Sequence, residues 1–219
     1  MEEFLRSVRS HPSLMGVNML SEWQAIGSLK LPTLETKRLI LRLATREDVP
    51  AILSFYLENQ DFLTPYEPTR SEDFYTFGFW RDQVEKALIE FNYDQAIKFC
   101  LFKKTEPTVL IGKINFHQIL RGVCQSCILG YSLAETEQGN GYMTEALETA
   151  IHFIFADLNF HRIAANYMPR NQRSANVLKR LGFTVEGYAR DYLRINGQWE
   201  DHILTSLTHP NWSFQEIDP

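Results

Sequence analysis

Residues 128–149, ILGYSLAETEQGNGYMTEALET, decide the fold, because they set a strand, a glycine loop and a helix in immediate succession. Leu129, Tyr131 and Leu133 alternate with Ile128, Gly130 and Ser132 as on a strand. Met143, Ala146, Leu147, Ala150 and Ile154 instead recur at three- and four-residue spacing, the period of a helix with one apolar side. Between them stands Gln138-Gly139-Asn140-Gly141. Glycine admits positive φ and lets a ligand approach bare N–H groups, which would here lie beside the unpaired amides of the helix N-terminus. The helix dipole adds roughly half a positive charge at that end, so the loop suits a diphosphate without a basic side chain. An ordinary tight turn would use the same residues, and the segments that follow separate the two readings.

Working outward, Arg162 to Tyr167 forms a second strand, Asn171-Gln172-Arg173-Ser174 opens a short helix, and Leu181-Gly182-Phe183 ends it. This order and spacing resemble the GNAT N-acetyltransferases, and more narrowly their RimJ type, the ribosomal-protein-alanine N-acetyltransferases. Tyr66-Glu67-Pro68, Leu129-Gly130-Tyr131-Ser132, Ala165-Asn166-Tyr167-Met168-Pro169, Leu181-Gly182-Phe183, Glu186-Gly187-Tyr188-Ala189 and Asn196-Gly197-Gln198-Trp199 with Asp201-His202 carry the closer likeness. It spans roughly Thr33 to Trp212. One departure is Thr136, where the superfamily loop often has Gln or Arg; backbone amides would do most of the binding there.

The resemblance implies an α+β fold of three layers. Its mixed, mostly antiparallel sheet would splay at one parallel strand pair, with helices on both faces. It also implies acetyl-CoA as co-substrate and no metal. Tyr131, Ser132 and Leu133 would lie along the acyl end, Gln138, Gly139, Asn140, Gly141, Tyr142 and Met143 would cradle the pyrophosphate, and Asn171 and Ser174 would touch the pantetheine arm. Ser174 would further donate a proton to the departing thiolate. Local capping explains Asn171 and Ser174 equally well, since Asn is a favoured N-cap and Ser174 lies three residues on.

Composition narrows the classes. With 219 residues, 44% of them hydrophobic, the chain can bury an ordinary core. We read residues 1–32 as an extension, partly helical, 33–212 as one catalytic domain and 213–219 as a tail. A net charge of -5 argues against nucleic acid or an anionic membrane as partner and suits a cationic substrate. No apolar run approaches the ~20 residues of a membrane-spanning helix, and Met1 to Lys30 lacks the apolar core of a secretory signal, so a cytoplasmic location is expected. Cys124-Gln-Ser-Cys127 has the spacing of half a zinc site, but no second pair completes it, and Cys100 stands apart.

The remaining elements follow from pattern. Arg38 to Leu43 alternates as a first strand. Thr45 and Asp48 precede a helix running from Pro50 to about Gln60, with Pro50 tolerable in its first turn. Asp61 to Arg70, with two prolines, reads as an exposed loop. Ser71 would cap a helix through Asn92 with Phe74, Phe77, Val84, Leu88 and Phe91 on its apolar side. Strands at Ile97 to Phe102 and Val109 to Phe116 flank a turn at Glu106-Pro107. Thr184 to Ile195 and Gln198 to Leu207 read as a hairpin about Asn196-Gly197, and Thr208 onward as a tail.

Acyl transfer to nitrogen needs a neutral amine, so a base is sought. Glu67, in the proline-bracketed loop, is the first candidate, with solvated carboxylate as the bland alternative. Asp201 is the second, with a structural ion pair as its alternative. Tyr66, Tyr188, Tyr192 and Trp199 would line the acceptor site or simply pack, and His202 reads as structural. RimL-type enzymes carry a glutamate where this chain has Leu193, so that role does not transfer. The expected acceptor is a protein N-terminal α-amine, namely alanine of a ribosomal protein. The alternatives are a small amine such as a polyamine, aminoglycoside or aminoacyl nucleotide, and a non-catalytic binding module. Monomer and homodimer both remain open.

Overall fold

The computed structural model describes residues 31–213; the extension through residue 30 and the end of the tail, 214–219, lie outside the described residues. In chain order the elements are β1 (Thr33–Glu35), β2 (Leu39–Leu43), α1 (Val49–Glu58), α2 (Gln60–Leu63), α3 (Phe77–Asn92), β3 (Ile97–Lys103), β4 (Glu106–Leu120) and β5 (Ser126–Leu133). Then come α4 (Tyr142–His152), β6 (Arg162–Tyr167), α5 (Gln172–Arg180), β7 (Thr184–Ile195) and β8 (Gln198–Thr208). The described strands form one sheet in the order β1-β2-β3-β4-β5-β6-β8-β7. Every neighbouring pair is antiparallel except β5 with β6. This is the mixed sheet expected, with the parallel pair where the glycine-loop helix crosses over.

Alternation along the strands sorts the helices onto two faces. Cys100 and Phe102 of β3 join Ile52, Phe55, Tyr56, Trp80 and Val84 of α1 and α3 in one buried cluster. Phe99, one residue out of phase, meets Phe153 just beyond α4 edge-on at 5.9 Å. Leu39, Leu41, Phe99, Leu101, Ile114 and Phe116 are fully buried on the α4 face and Phe102 on the other, so the centre of the sheet is covered on both sides.

Four local expectations are corrected. Asp61 to Arg70 is mostly not a loop: α2 and a 3-10 turn, Thr64–Tyr66, carry the helix onward with Leu63 buried. Pro65 is compatible because it falls at the start of that turn, where its missing N–H is not needed. The long helix is capped by Thr76, whose side chain accepts from the Phe79 amide, whereas Ser71 precedes only a 3-10 turn, Glu72–Tyr75. Phe77 is consequently 51% exposed, and Trp80 and Val84 carry the buried face. Glu106 and Pro107 lie inside β4, not in a turn. β5 pairs with β4 only from Gly112 onward, which leaves this stretch an edge where proline removes no ladder bond on that side. Beyond Thr208, His209 and Trp212 stay anchored to His161 and Asn159 through bonds of 2.8 and 3.1 Å.

Two close approaches set the geometry at the end of β5. A Cβ on Gly112 would stand 2.7 Å from the Ser132 carbonyl oxygen, so only glycine allows β4 to lie this near β5. Asn59, buried between α1 and α2, donates to the Phe55 carbonyl and accepts from the Glu135 amide, both at 2.8 Å. Gly112→Val should therefore lower stability by about 1–3 kcal/mol through overpacking against backbone, read as a reduced melting temperature; an unchanged melt would refute the packing constraint.

Candidate active site

β5 and β6 pair only at Ser126↔Arg162, Cys127↔Ile163 and Ile128↔Ala164. Past Ile128 and Ala164 the two strands diverge, while β6 keeps its ladder with β8 through Tyr167 and β5 keeps its ladder with β4 through Leu133. The Ala134 amide donates to the Ile111 carbonyl of β4 at 2.8 Å. Successive strand amides point to opposite edges, so those of Leu133 and Tyr131 face the gap. A cavity of about 350 Å³ fills that gap, lined by Tyr131, Ser132, Leu133, Gln138, Met143, Asn171 and Ser174 on one side and by Tyr66, Glu67 and Arg70 on the other.

Two glycines shape the loop beyond the cavity. Gly139 and Gly141 have φ of +78° and +76°, the left-handed region, and Gly141 is the N-cap of α4. A Cβ at Gly139 would meet nothing within 4 Å, so its outer face is open. Gln138 turns inward, donating to the Leu133 carbonyl at 3.1 Å, and thereby fixes the start of the loop. Flanked by Gln138 and Met143, which line the cavity, residues 139–142 present their amides just past its end.

A network that pattern reading missed braces this loop from β2. The Arg38 guanidinium donates to the Asn140 carbonyl at 3.0 Å and to Glu145 at 2.6 Å, and it lies 4.3 Å from the centre of the Tyr142 ring. Glu145 also accepts from the Arg38 amide at 2.8 Å and the Thr36 hydroxyl at 2.5 Å. Burial alone would raise the Glu145 carboxyl, but Thr36 and Arg38 outweigh it and hold it below its ordinary 4.5. A basic residue just before β2 and an acid in the first turn of α4 were visible in the sequence; their meeting was not.

Ser174 and Tyr131 form a pair across the gap. Their hydroxyl oxygens stand 2.8 Å apart, and burial, partly opposed by Ser174, pushes the Tyr131 phenol up to about 12. Tyr131 thus stays protonated, so a proton is shared between the two oxygens. Asn171 caps α5 by accepting from the Ser174 amide at 3.1 Å, and it also lines the cavity, so capping and site contact are not exclusive.

The candidates for the base separate. Glu67 is the one carboxylate lining the cavity among the described residues, and its Oε2 accepts from Arg70 at 2.9 and 3.2 Å. Its backbone carbonyl takes the Asn196 amide at 2.8 Å, which ties this segment to the β7–β8 hairpin. Asp201 does not line the cavity. It accepts from the Tyr188 hydroxyl and from the Asp191 amide at 2.8 Å, so it shapes the hairpin. Tyr188 and Trp199 are 54% and 62% exposed on that hairpin, and of the four aromatics singled out only Tyr66 lines the cavity. His202, read as structural, is buried and lines the cavity. Its Nδ1 is 2.9 Å from the Glu200 carbonyl, which can only accept, so Nδ1 carries a proton toward it.

Cys127 is buried, its thiol raised to about 12 by burial, whereas Cys124 is exposed. Among the described residues no group of three His, Cys, Asp or Glu side chains is placed to hold a metal, and no helix is long and apolar enough to cross a membrane.

A sequence profile of the acetyltransferase (GNAT) domain matches residues 38–184. The ribosomal protein uS5-alanine N-acetyltransferase of Escherichia coli K12 is 43% identical over 180 residues, covering 82% of this chain and 92% of its own. The structure of the ribosomal-protein-S5-alanine acetyltransferase from Vibrio fischeri superposes with a TM-score of 0.79 at 37% identity, covering 83% of this chain and 99% of its own. RimJ of Mycobacterium smegmatis, solved in complex with a CoA disulfide, gives 0.75 at 26% identity, covering 83% and 90%.

The Glu145 network yields a pH test. Its carboxylate has a folded-state pKa below the unfolded one, so its contribution is present above the ordinary carboxylate value and lost as pH falls through the folded value. Glu145→Gln should cost about 1 kcal/mol near neutral pH, and the gap from wild type should close on acidification. Thermal melts at neutral and acid pH decide this; a gap independent of pH would show that the charge is not what braces the loop.

Proposed function

The chain belongs to the GNAT acetyltransferase family, and from that premise we propose that it transfers acetyl from acetyl-CoA to the α-amine of an N-terminal alanine on a ribosomal protein. The observation that carries the reading is the gap between β5 and β6, with the open glycine loop beyond it and the Ser174–Tyr131 pair on its wall. The name of the 43% identical relative supports the acceptor. Such chemistry belongs in the cytoplasm, where ribosomal proteins are made.

The residues present fit this co-substrate. Gly139 and Gly141 leave bare amides at the N-terminus of α4 for the pyrophosphate, and Asn140, Tyr142 and Met143 complete that turn. Ser132, Leu133 and Asn171 would flank the pantetheine arm. Bound acetyl-CoA would supply an acyl group on a sulfur leaving group. The Leu133 amide, facing the gap, is the donor for the oxygen that gains charge, and one such donor is typically worth about 3–4 kcal/mol. Ser174, with Tyr131 behind it, holds the proton for the sulfur. Glu67 takes the proton of the incoming ammonium through the oxygen that Arg70 does not occupy. His202 is a second reading for this role, favoured by its place in the cavity wall with Nδ1 already engaged by the Glu200 carbonyl.

Basicity supports an α-amine. A peptide α-amine titrates near 7.7–8.0 and a lysine near 10.4, so at neutral pH the former is uncharged several hundred times more often. The deciding experiment compares a peptide with a free N-terminal alanine against the same peptide blocked at its N-terminus and carrying one lysine. The free peptide should be acetylated far faster; equal rates would refute the assignment. Ser174→Ala should lower kcat by about tenfold to a hundredfold with a smaller change in KM, because its proton is needed only as sulfur departs. An unchanged kcat would leave Ser174 its place in the α5 cap alone. Loss of the acidic limb of the kcat/KM profile in Glu67→Gln or in His202→Gln identifies the base.

A further inference from the structure

Beside the main cavity lies a second of about 200 Å³, and the two share Tyr56, Arg70 and Asn115. Lys113, from β4, reaches into its wall. Its ammonium stands 3.2 Å from the Tyr56 hydroxyl, 4.6 Å from the centre of the Trp80 ring and 5.1 Å from that of Tyr56. Those two rings are stacked at 4.7 Å. The other cations of this wall are paired, Arg70 with Glu67 at 2.9 Å and Lys98 with Glu90 at 2.5 Å. Lys113 has no carboxylate within ion-pair distance among the described residues.

Lys113 is half-buried; burial works against its charge, but the Tyr56 hydroxyl, the Cys100 thiol and the more distant Glu67 charge outweigh it and hold the ammonium above its ordinary value, so the cation persists with no carboxylate in contact with it. Two further groups in the same wall are unfulfilled: the Trp80 indole N–H and the Asn115 side-chain oxygen are both buried without a partner. A carboxylate would satisfy the ammonium and the indole N–H together. The Asn115 oxygen, on the boundary between the two cavities, suits the amide N–H of a chain passing from one to the other.

We propose that the second cavity receives the carboxylate of an acidic side chain shortly after the N-terminal residue of the acceptor, with Lys113 as its counter-ion. This rests on the reading that the acceptor is a protein N-terminus. The site therefore selects among N-termini by charge. Glu67 is ion-paired with Arg70 through Oε2 alone, so its charge on the shared wall is offset in part and it makes no direct contact with Lys113.

The test uses the full chain with acetyl-CoA and paired peptides that begin with a free alanine and carry Glu or Gln at the second, third or fourth position. At one position the Glu peptide should show kcat/KM about tenfold higher than its Gln partner. In Lys113→Met that ratio should fall to about one. Should that variant fail to fold, Lys113→Gln serves the same comparison, and the wild-type ratio stands without either. Equal rates for Glu and Gln at all three positions overturn the proposal, as does a ratio retained without the lysine. Absence of α-amine acetylation on every peptide would instead overturn the acceptor assignment itself.

Discussion

Two parallel strands that stop bonding to one another are the constraint on which the molecule depends. Backbone amides turned away from a neighbour must find another partner or remain in water. β5 and β6 meet this by keeping their outer ladders while opening the inner one after Ile128 and Ala164. The sheet stays whole, and an edge with free donors is created at its centre. A ligand able to act as an extra strand would complete it. The glycine loop and α5 then matter because they stand at the two sides of this opening, and the hairpin β7–β8 matters because it holds β6 in place from behind.

That opening was legible because its causes are local. Glycines at 139 and 141, the apolar period after them and the Asn171 cap are each written within a few residues, and the structure puts them where those local rules require. The family likeness added the acyl chemistry that such rules do not contain. Arg38 with Glu145, and Lys113 with Trp80, were not legible, since each is an encounter between distant parts of the chain. The place of His202 in the cavity wall was not legible either. Its character comes from a carbonyl two residues back fixing the ring, which no residue count reveals.

The misread helix boundaries have one physical origin. In sequence Pro65 reads as part of a loop and Ser71 as the cap of the long helix, whereas each stands at the start of a short 3-10 turn. Here such turns occupy Thr64–Tyr66 and Glu72–Tyr75, and the irregular stretch between them carries Glu67 and Arg70 to the cavity wall. A segment read as an open loop is therefore wound over its first half only, and Glu67 beyond it is fixed by the Asn196 amide and by Arg70.

The brace from β2 gives the glycine loop an unusual start. Arg38 bonds both the Asn140 carbonyl and Glu145, so the residues around positions 139 to 142 are braced by the protein's own side chains. Loops rich in glycine ordinarily surrender conformational freedom when they close on a phosphate, and that loss is subtracted from the affinity. In this chain much of the loss has been moved from the binding step to the folding step. A ligand meeting this loop would accordingly find it already shaped, with little of the loop's freedom left to lose on binding.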